Sequence, residues 1–420
     1  MTQRKLTRRS FLKVSGASLA GTALFGAAGC GGGGGQGGNI TLSWWDYFTT
    51  GANDVAMQAR HKRYMKANPN ITIKRRTIPF DQLKPTLLRA AAAGELPDIA
   101  VIDNPDHQSF AEQGVVMDIT EQVGSWGQED AYFDGPWIST TWQDKNFGLP
   151  DNSNCLVLWY NTEFTEAAGV EPPRTWDELN EAARKLTTGG RFGLAVSGIK
   201  SEEGTFQWLP FLWQSGEDIP TIDSAGGRAA LQLWVDMVSE GSMSRGILGW
   251  TQEDVKNQFQ NRRAAMMING PWQIPLLEAD APDLNWDIVV LPKGNQSASI
   301  LGGENMSITS GSQYADDAWD LLAWTQEPKE LKKYLIDAGK LPSRTDLADE
   351  SEWANDPVLS VFIEQLKVAK PRAYGPKYPE ISTAIQEAIQ AAISGESDVG
   401  AALSRAQQEI SPLLPGEMKQ

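Results

Sequence analysis

Residues 40–102 alternate between strand and helix patterns and decide the fold class of this 420-residue chain. Apolar runs stand at ITLSWW (40–45), ITIKRRTI (71–78) and DIAVI (98–102), and helix-forming stretches at 55–67 and 83–93 separate them. The two helical stretches end at Asn68-Pro69 and at Gly94, which are ordinary stop signals. Strands that alternate with helices predict an α/β fold in which parallel sheets are flanked by helices.

The alternation continues along the rest of the chain. Thr175 and Glu178 stand at capping-box spacing, and they predict the start of a helix. A chain of this length exceeds what one hydrophobic core usually serves, so we expect two domains. We predict further strands at 155–160, 264–268, 288–291 and 301–308, and helices at 316–324, 331–338, 358–366 and 381–393.

The first 30 residues have the composition of a bacterial export signal. The motif TRRSFLK (7–13) contains adjacent arginines, residues 14–29 are apolar and rich in Gly, Ala and Ser, and Cys30 follows. We therefore predict a twin-arginine signal peptide over 1–29 and a lipid attachment site at Cys30. A transmembrane helix is the alternative, but a span requires roughly 20 strongly apolar residues.

The run GGGGGQGG after Cys30 can neither pack nor continue a helix, so residues 30–38 are predicted as a lipidated cysteine with a flexible tether. The protein is then expected outside the cytoplasm, anchored to the outer face of the cell membrane. Cys155 is the only other cysteine, so no intramolecular disulfide is expected once Cys30 carries lipid.

Charge and composition exclude several functions. The formal net charge is −16, and the predicted signal holds five basic residues and no acidic one, so its removal makes the charge more negative. Such a charge argues against nucleic acid or an anionic membrane surface as partner. With only His61 and His107, a His-rich metal site is excluded and a His-dependent nucleophile is disfavoured. We predict no cofactor, no metal site and no catalytic residue.

Eight short motifs, each weak alone, follow one another in the order of a known family. They are WW (44–45), AGELPDI (93–99), GLP (148–150), WYN (159–161), PRTWDEL (173–179), NGPW (269–272), GGEN (302–305) and LPSR (341–344). In these motifs the chain resembles the extracellular solute-binding proteins of ABC importers, in the sugar-binding, maltose-binding-protein-like group. The resemblance covers nearly the whole chain after the predicted tether.

The resemblance implies a two-lobed periplasmic-binding-protein-like fold of type II, whose α/β lobes close on a ligand by hinge motion. Crossings between lobes are expected near 150–154, near Pro292 and at 327–328. Lobe 1 would combine residues 39–150 and 291–326, and lobe 2 would combine 151–290 and 327–420. The implied function is capture of a carbohydrate and its delivery to the transmembrane subunits of an ABC permease, by a protein expected to be a monomer.

Sugar binding calls for aromatic faces against the C–H face of a pyranose and polar groups for its hydroxyls. Among 16 tryptophans we predict Trp45, Trp208 and Trp272 as stacking residues, although Trp208 could instead pack a helix. The family resemblance carries the stacking role to Trp272. Gly303 would let backbone approach the ligand closely. The predicted polar contacts are Asp46, Asp81, Asp103, Asn104, Asn154, Glu304 and Arg344.

Several of these polar residues have structural alternatives. Asp81 could be a helix N-cap, Asp103 and Asn104 could stabilise the turn before Pro105, and Arg344 could pair with Asp346. The stretch DNPDH (103–107) lacks the arginine that maltose-binding protein has there, which disfavours maltodextrin. A phosphate ligand would require clustered Arg or Lys, so a neutral mono- or oligosaccharide is favoured.

Two other functions stay open from the sequence. The same fold could bind a polyamine or another cation in an acidic cleft with tryptophans, whereas a ferric site would require neighbouring tyrosines. A secreted glycoside hydrolase would share tryptophans and carboxylates, but it requires a pair of carboxyl groups roughly 5 to 9 Å apart. No motif nominates such a pair.

Overall fold

The computed structural model describes residues 38–418. Within the chain, Asn39–Gln420 forms a compact unit by itself. The predicted signal peptide, Cys30 and all but the last residue of the predicted tether lie outside the described residues. Among the described helices, none is long and apolar enough to cross a membrane.

Residues 38–418 form 13 strands, numbered here in chain order. They are β1 (Ile40–Asp46), β2 (Ile71–Thr77), β3 (Ile99–Asp103), β4 (Thr141–Trp142), β5 (Lys145–Asn146), β6 (Leu149–Pro150), β7 (Val157–Asn161), β8 (Phe192–Ala195), β9 (Ala264–Asn269), β10 (Trp286–Val289), β11 (Ser299–Ile300), β12 (Glu304–Ile308) and β13 (Ala369–Lys370).

Eighteen α-helices accompany these strands among the described residues. They are α1 (Gly51–Ala67), α2 (Phe80–Ala93), α3 (His107–Glu112), α4 (Thr120–Trp126), α5 (Asp134–Ser139), α6 (Thr162–Ala168), α7 (Trp176–Leu186), α8 (Glu202–Gln214), α9 (Ala225–Ser239), α10 (Gln252–Gln260), α11 (Ile274–Asp280), α12 (Ala315–Thr325), α13 (Pro328–Ala338), α14 (Thr345–Ala348), α15 (Ser351–Ala354), α16 (Leu359–Leu366), α17 (Tyr378–Ser394) and α18 (Val399–Ile410).

Two mixed sheets organise these elements. The first has the order β2-β1-β3-β12-β6, and the second has the order β10-β7-β9-β8. We call the first sheet with its flanking helices lobe 1 and the second sheet with its helices lobe 2. The short strands β11 and β13 form a separate parallel ribbon, and β4 and β5 form an antiparallel one.

The α/β class is confirmed, but the expectation of parallel sheets is wrong. In lobe 1 the pairs β1–β2 and β1–β3 are parallel, whereas β12 is antiparallel to both of its neighbours, β3 and β6. In lobe 2, β7 is antiparallel to both of its neighbours, β9 and β10. A parallel connection requires a crossover segment such as a helix. Instead, β6 leads directly into one segment that crosses between the lobes, and β12 directly follows another.

Two crossing segments lie side by side. Asn154 and Gly302 exchange backbone hydrogen bonds of 2.9 and 3.0 Å, and Ser153 N–H donates to the Leu341 carbonyl at 2.9 Å. The first crossing therefore lies within 151–154. The second lies at 301–303 rather than near Pro292, because β11 still packs on lobe 2, where Ser299 Oγ donates to the Leu156 carbonyl.

The helix α13 lies with lobe 1, although the predicted boundary placed it in lobe 2. It packs against α1, where Arg63 Nε donates to Glu330 Oε2 at 2.9 Å and the Arg60 guanidinium lies 4.2 Å from the centre of the Tyr334 ring. A short link after α12 lets α13 fold back onto the same lobe. After α13 the chain returns to the first crossing, where Leu341 pairs with Ser153 in an antiparallel bridge.

The buried core is continuous across both lobes. One cluster packs α7, α8, α9, α17 and α18 against one face of the second sheet. Another extends from α1, α12 and α13 through the crossings to the opposite face of that sheet, with Trp44, Trp159 and Trp353 fully buried. A third fills the space among β1, β3, α2 and α3. Packed side chains of both lobes therefore contact the crossings, and the cleft lies between two well-packed lobes.

Candidate functional site

A cleft of about 390 Å³ lies where the carboxyl ends of β1 and β3 face helix starts of lobe 2. Such crevices at strand ends are where α/β proteins bind ligands. Its lining residues are Tyr47, Phe48, Thr49, Thr50, Asn53, Phe80, Asp103, Asn154, Glu202, Glu203, Phe206, Gln252, Glu253, Pro271, Trp272, Gln273, Leu276, Gly302, Gly303, Glu304, Lys340 and Arg372.

Glu304 anchors a polar cluster on the lobe 1 wall. Its Oε2 accepts from Lys340 Nζ at 2.6 Å and its Oε1 accepts from the Tyr47 hydroxyl at 2.9 Å. Lys340 Nζ also lies 4.2 Å from the centre of the Phe48 ring. Burial, followed by the neighbouring Glu304 carboxylate, raises the pKa of Tyr47 well above its ordinary value, so the phenol stays a hydrogen-bond donor. The cluster is therefore fixed in geometry before any ligand contacts it.

Arg372 lies between the two lobes. Its Nη1 donates to Glu202 Oε1 at 2.6 Å, and its Nη2 donates to Asn104 Oδ1 at 2.9 Å. Asp103 Oδ2 is 3.6 Å from Nη1, and the guanidinium lies 4.7 Å from the centre of the Phe206 ring. Burial opposes the charge, but Asp103 and Glu202 outweigh it and raise the pKa of Arg372.

Two carboxyl groups of the cleft have strongly raised pKa values. Burial, reinforced by Asp106, Glu202 and Glu304, raises the pKa of Asp103 to about 8 even though Arg372 opposes the shift. Burial also raises the pKa of Glu203 to about 7, with Asp254, Asp81 and Glu253 adding to the effect. Its Oε2 accepts from the Gln252 backbone N–H at 2.5 Å. In its protonated form, each of these carboxyl groups can donate a hydrogen bond to a ligand oxygen.

Aromatic rings line both walls. On lobe 2, Trp272 is half-buried and its ring centre lies 6.5 Å from that of Phe206. On lobe 1, the Tyr47 and Phe80 rings meet edge to face at 5.1 Å. Pro271 opens a short 3₁₀ turn directly after β9, and this turn projects Trp272 into the cleft. The site thus combines apolar faces with charged groups.

Several buried polar atoms of the lining have no hydrogen-bond partner among residues 38–418. They are Asn53 Oδ1, Asn154 Oδ1, Gln252 Nε2, Gln273 Oε1 and Arg372 Nε. Buried polar atoms in proteins are nearly always paired, because desolvation without a partner is costly. The cleft thus holds three acceptors and two donors without partners, and a ligand with many hydroxyl groups is suited to bond them.

The backbone at 302–303 forms the floor of the cleft. Gly303 has a φ of +145°, and a Cβ there would lie 2.3 Å from the Asn152 carbonyl oxygen. At Gly302 a Cβ would lie 2.1 Å from Asn154 Oδ1. Only glycine fits at either position, so the crossing segments can lie close together beneath the site.

Comparison with known proteins identifies the family. A family model for bacterial extracellular solute-binding proteins matches residues 59–360. The chain belongs to this family.

Relatives of this solute-binding protein include sugar-binding ones. It is 26% identical over 369 residues to a protein of Brucella abortus (strain 2308) named only as a binding protein, covering 84% of this chain and 88% of the relative. It is 24% identical over 385 residues to the maltotriose-binding protein of Pyrococcus abyssi, covering 86% and 79%.

A solved structure shares both fold and sequence with this solute-binding protein. The ABC transporter solute-binding protein of Thermotoga lettingae TMO, bound with α-D-tagatose, superimposes with a TM-score of 0.84 and is 30% identical. The match covers 89% of this chain and all of the other. The two-lobed fold is thereby confirmed. Proteins of this family bind solutes rather than transform them, so a glycoside hydrolase is not supported.

Five of the predicted ligand contacts lie in the cleft of this solute-binding protein. They are Asp103, Asn154, Trp272, Gly303 and Glu304. The structure brings them together from four separate segments of the chain, and their role in binding stays a prediction.

Trp45 and Asp46 do not line the cleft. Trp45 packs on the third core cluster, with the Arg76 guanidinium 4.6 Å from its ring centre. Asp46 is fully buried and accepts from Trp44 Nε1 at 3.0 Å and from Arg75 Nε at 2.6 Å. Trp45 and Asp46 point to opposite faces of β1 and neither reaches the cleft, whereas the next residues, Tyr47 and Phe48, line it.

Trp208 and Arg344 are also outside the cleft. Trp208 is fully buried in the lobe 2 core, as the helix-packing alternative proposed. Two residues along a helix are about 200° apart, so Phe206 faces the cleft while Trp208 faces the core. Arg344 is buried and its Nη2 donates to Asp346 Oδ2 at 2.8 Å, which was the other alternative. Its Nη1 donates to Gln128.

Asn104 and Asp81 lie beside the cleft. Asn104 is buried behind it, where its side chain orients Arg372 and its N–H donates to the Gly303 carbonyl at 3.1 Å. Asp81 lies in the first turn of α2, whose N-cap is Pro79, and it lines an adjoining cavity of about 400 Å³. That cavity shares Tyr47, Phe80, Asp103 and Glu202 with the cleft.

The residues missed from the sequence carry weak signals. Lys340 directly precedes the LPSR motif, and Glu202 and Glu203 precede the aromatic run of α8. Arg372 lies between β13 and α17 in no motif at all. Only the return of the chain from α16 towards lobe 1 brings this arginine to the site.

Proposed function

We propose that this solute-binding protein captures a carbohydrate in the cleft and delivers it to the permease of an ABC importer. The observation that carries the proposal is the pairing of aromatic rings on both walls with five unsatisfied buried polar atoms between them. A pyranose or furanose ring can stack its C–H face on the aromatic rings, and its hydroxyl groups can bond the unsatisfied polar atoms.

Trp272 is the proposed stacking platform. Its indole presents a large apolar face with the negative side of the ring quadrupole outwards, which attracts the slightly positive C–H groups of a sugar. The Phe206 ring lies beside the Trp272 indole, with 6.5 Å between the two ring centres. Glu304 and Asp103 on the opposite wall are placed to bond hydroxyl groups at the rim of a sugar held on this platform.

The charge of the lining favours a neutral sugar over an anionic one. Five carboxyl groups line the cleft, whereas its only cations among the described residues are Lys340 and Arg372. Both cations are already bonded, to Glu304 and Glu202 respectively. A phosphate or carboxylate ligand would have to displace these partners, so it would lose more than it gains.

The size of the cleft and the relatives support a mono- or short oligosaccharide. A volume of about 390 Å³ lies within the usual range for small-molecule sites. Relatives of this chain include one bound with α-D-tagatose and one named for maltotriose. The crossings at 151–154 and 301–303 are the proposed hinges about which the lobes close.

The membrane arrangement is part of the same proposal. The twin-arginine motif at 7–13 and the glycine run after Cys30 support an exported lipoprotein held at the outer face of the cell membrane. A monomer on a flexible tether can reach the transmembrane subunits of a permease. Cys30→Ser should move the protein from the membrane fraction to the soluble one, and unchanged fractionation would contradict the anchor.

A thermal-shift screen tests the ligand. Residues 39–420 would be heated with D-tagatose, maltotriose, other mono- and disaccharides, polyols and polyamines. A sugar with a micromolar Kd at millimolar concentration should stabilise the fold by about 4 kcal/mol. Titration calorimetry with product analysis should give one site and unchanged sugar. If no sugar shifts the unfolding temperature, the carbohydrate proposal fails.

A polyamine is the second candidate, and Glu203 is the observation that favours it. This cleft residue has no cationic partner among residues 38–418, and its charged neighbours are Asp254, Asp81 and Glu253. Putrescine and spermidine in the same screen decide between the candidates. The polyamine would be favoured if putrescine or spermidine raises the unfolding temperature and no sugar does. Glu203→Gln should then abolish the rise.

A further inference from the structure

Arg372 is the one side chain of the cleft that is hydrogen-bonded to both lobes. It follows β13 and packs on lobe 2, where its guanidinium lies against Phe206 and donates to Glu202. Across the cleft it donates to Asn104, which follows β3 of lobe 1, and it lies 3.6 Å from Asp103. An arginine can hold several acceptors at once because its planar guanidinium carries five N–H donors.

The donor at Nε is unused. Arg372 is 4% exposed, and its Nε–H is buried without an acceptor among the described residues. While Glu202 and Asn104 hold Nη1 and Nη2 across the two lobes, this N–H cannot rotate away to find a partner. A buried donor held in this state at a cleft wall is suited to a ligand oxygen.

We propose that Arg372 couples solute binding to lobe closure, acting at once as a clamp between the lobes and as a ligand contact through Nε. The inference rests on the proposed function of the cleft. A bound sugar oxygen accepts the free Nε–H, and this bond fixes the guanidinium in the orientation that holds Asn104. Closure and binding thus stabilise each other, because each orders the same side chain.

The adjacent contacts support a clamp at this place. The Gly375 N–H, three residues further along the same segment, donates to Gln108 Oε1 on α3 of lobe 1 at 3.2 Å. Glu202, the lobe 2 partner of Arg372, is itself held by the hydroxyl groups of Tyr378 and Ser382. The segment around Arg372 is therefore hydrogen-bonded to lobe 1 at two points. Its partner in lobe 2, Glu202, is held in place by Tyr378 and Ser382.

Four variants separate the two roles. Arg372→Ala removes clamp and ligand contact, and Arg372→Lys keeps the charge but removes Nε. Asn104→Ala removes only the lobe 1 acceptor. Arg191→Ala is the control, because this arginine also stacks on a ring, that of Phe164 at 3.7 Å, but lies within lobe 2 away from the cleft. The soluble body 39–420 suffices, since it holds every core cluster.

The distance between the lobes is the first readout. Spin labels would be attached at Lys74→Cys on β2 and Lys185→Cys on α7, both at exposed positions. Burial raises the pKa of the Cys155 thiol well above its ordinary value, so Cys155 does not compete for label. Arg372→Ala and Asn104→Ala should lengthen the distance without sugar, while Arg191→Ala should not. An unchanged distance in both would overturn the clamp.

Affinity for D-tagatose and maltotriose is the second readout. Arg372→Ala should weaken binding about 10- to 100-fold, the usual effect of losing a bond to a charged group, and Asn104→Ala less. Arg372→Lys should bind as weakly as the alanine variant while keeping a shorter lobe distance. Unchanged affinity in both Arg372 variants would overturn the ligand contact. If the wild-type protein binds neither sugar, the proposed function is wrong for these two sugars. The spin-label distances still test whether Arg372 holds the lobes together.

Discussion

Asp103 and Glu304 are directly opposite each other on the β3–β12 ladder, so both carboxyl groups project from the same face of the sheet into the cleft. Lys340 and Tyr47 bond Glu304, whereas Asp103 has only the more distant Arg372. Two opposed carboxyl groups in a buried site cannot both ionise easily. Burial is the main reason that the pKa of Asp103 rises to about 8, and the carboxylates of Asp106, Glu202 and Glu304 add to the rise.

The first prediction concerns pH. The folded state keeps a proton on Asp103 that the unfolded chain loses above about pH 4, so this residue makes unfolding easier as pH rises to about 8. The slope is at most about 1.4 kcal/mol per pH unit. Asp103→Asn should flatten this dependence in urea titrations between pH 5 and 8. The exposed Asp283→Asn should keep the wild-type slope, and an equal slope in all three proteins would contradict the assignment.

The second prediction separates two tryptophans. Trp272→Ala should weaken sugar binding by about 1.5–3 kcal/mol, because a stacking face is lost, with little change in the free energy of unfolding. Trp208→Ala should cost about 3–5 kcal/mol of stability, because it leaves a cavity in the lobe 2 core. Calorimetric titration and urea unfolding measure both quantities. A Trp208 variant that remains as stable as wild type but no longer binds sugar would reverse the assignment.

The third prediction concerns the buried pair of Lys340 and Glu304. Lys340→Met should destabilise the fold by about 3–5 kcal/mol, because it leaves an uncompensated carboxylate at a buried position. The double variant Lys340→Met with Glu304→Gln should recover most of this loss. Urea unfolding of the two single variants and the double variant gives the coupling energy. Additive losses would show that the two side chains act independently.

The fourth prediction concerns the floor of the cleft. Gly303→Ala should be destabilising by more than about 1 kcal/mol, because its φ of +145° and the nearby Asn152 carbonyl exclude a Cβ. Ligand affinity should fall as well, since the hinge backbone moves. Gly124→Ala is the matched control, because this glycine lies in α4 with open space around it and should be neutral or stabilising. Equal melting temperatures for the two variants would contradict the prediction.

Much of the secondary structure could be read from apolar spacing. The strands predicted at 40–45, 71–78 and 98–102 correspond to β1, β2 and β3 within two residues. The cap at Thr175 is confirmed, since its side chain accepts from the Glu178 N–H at 3.3 Å, although Glu178 reaches Arg174 rather than Thr175. These features depend on residues close in sequence, so local propensity is enough to place them.

The site was predicted less completely. Trp208 indicated the correct segment but the wrong residue, because apolar composition does not tell which face of a buried helix meets the cleft. Asp46 precedes the cleft residue Tyr47 but is taken by a buried ion pair with Arg75, and Arg344 pairs with the partly exposed Asp346. No local pattern distinguishes a carboxylate that bonds an arginine of the same lobe from one that faces a ligand.

The sequence by itself determined the α/β class, the family and several of the segments that line the cleft, because these depend on short motifs and on the spacing of apolar residues. Only the tertiary structure decided the lobe to which α13 belongs, the antiparallel position of β12, and the grouping of Lys340 and Arg372 with Asp103 and Glu304. Those features depend on contacts between residues far apart along the chain, and such contacts form only when the crossing segments bring the two lobes together.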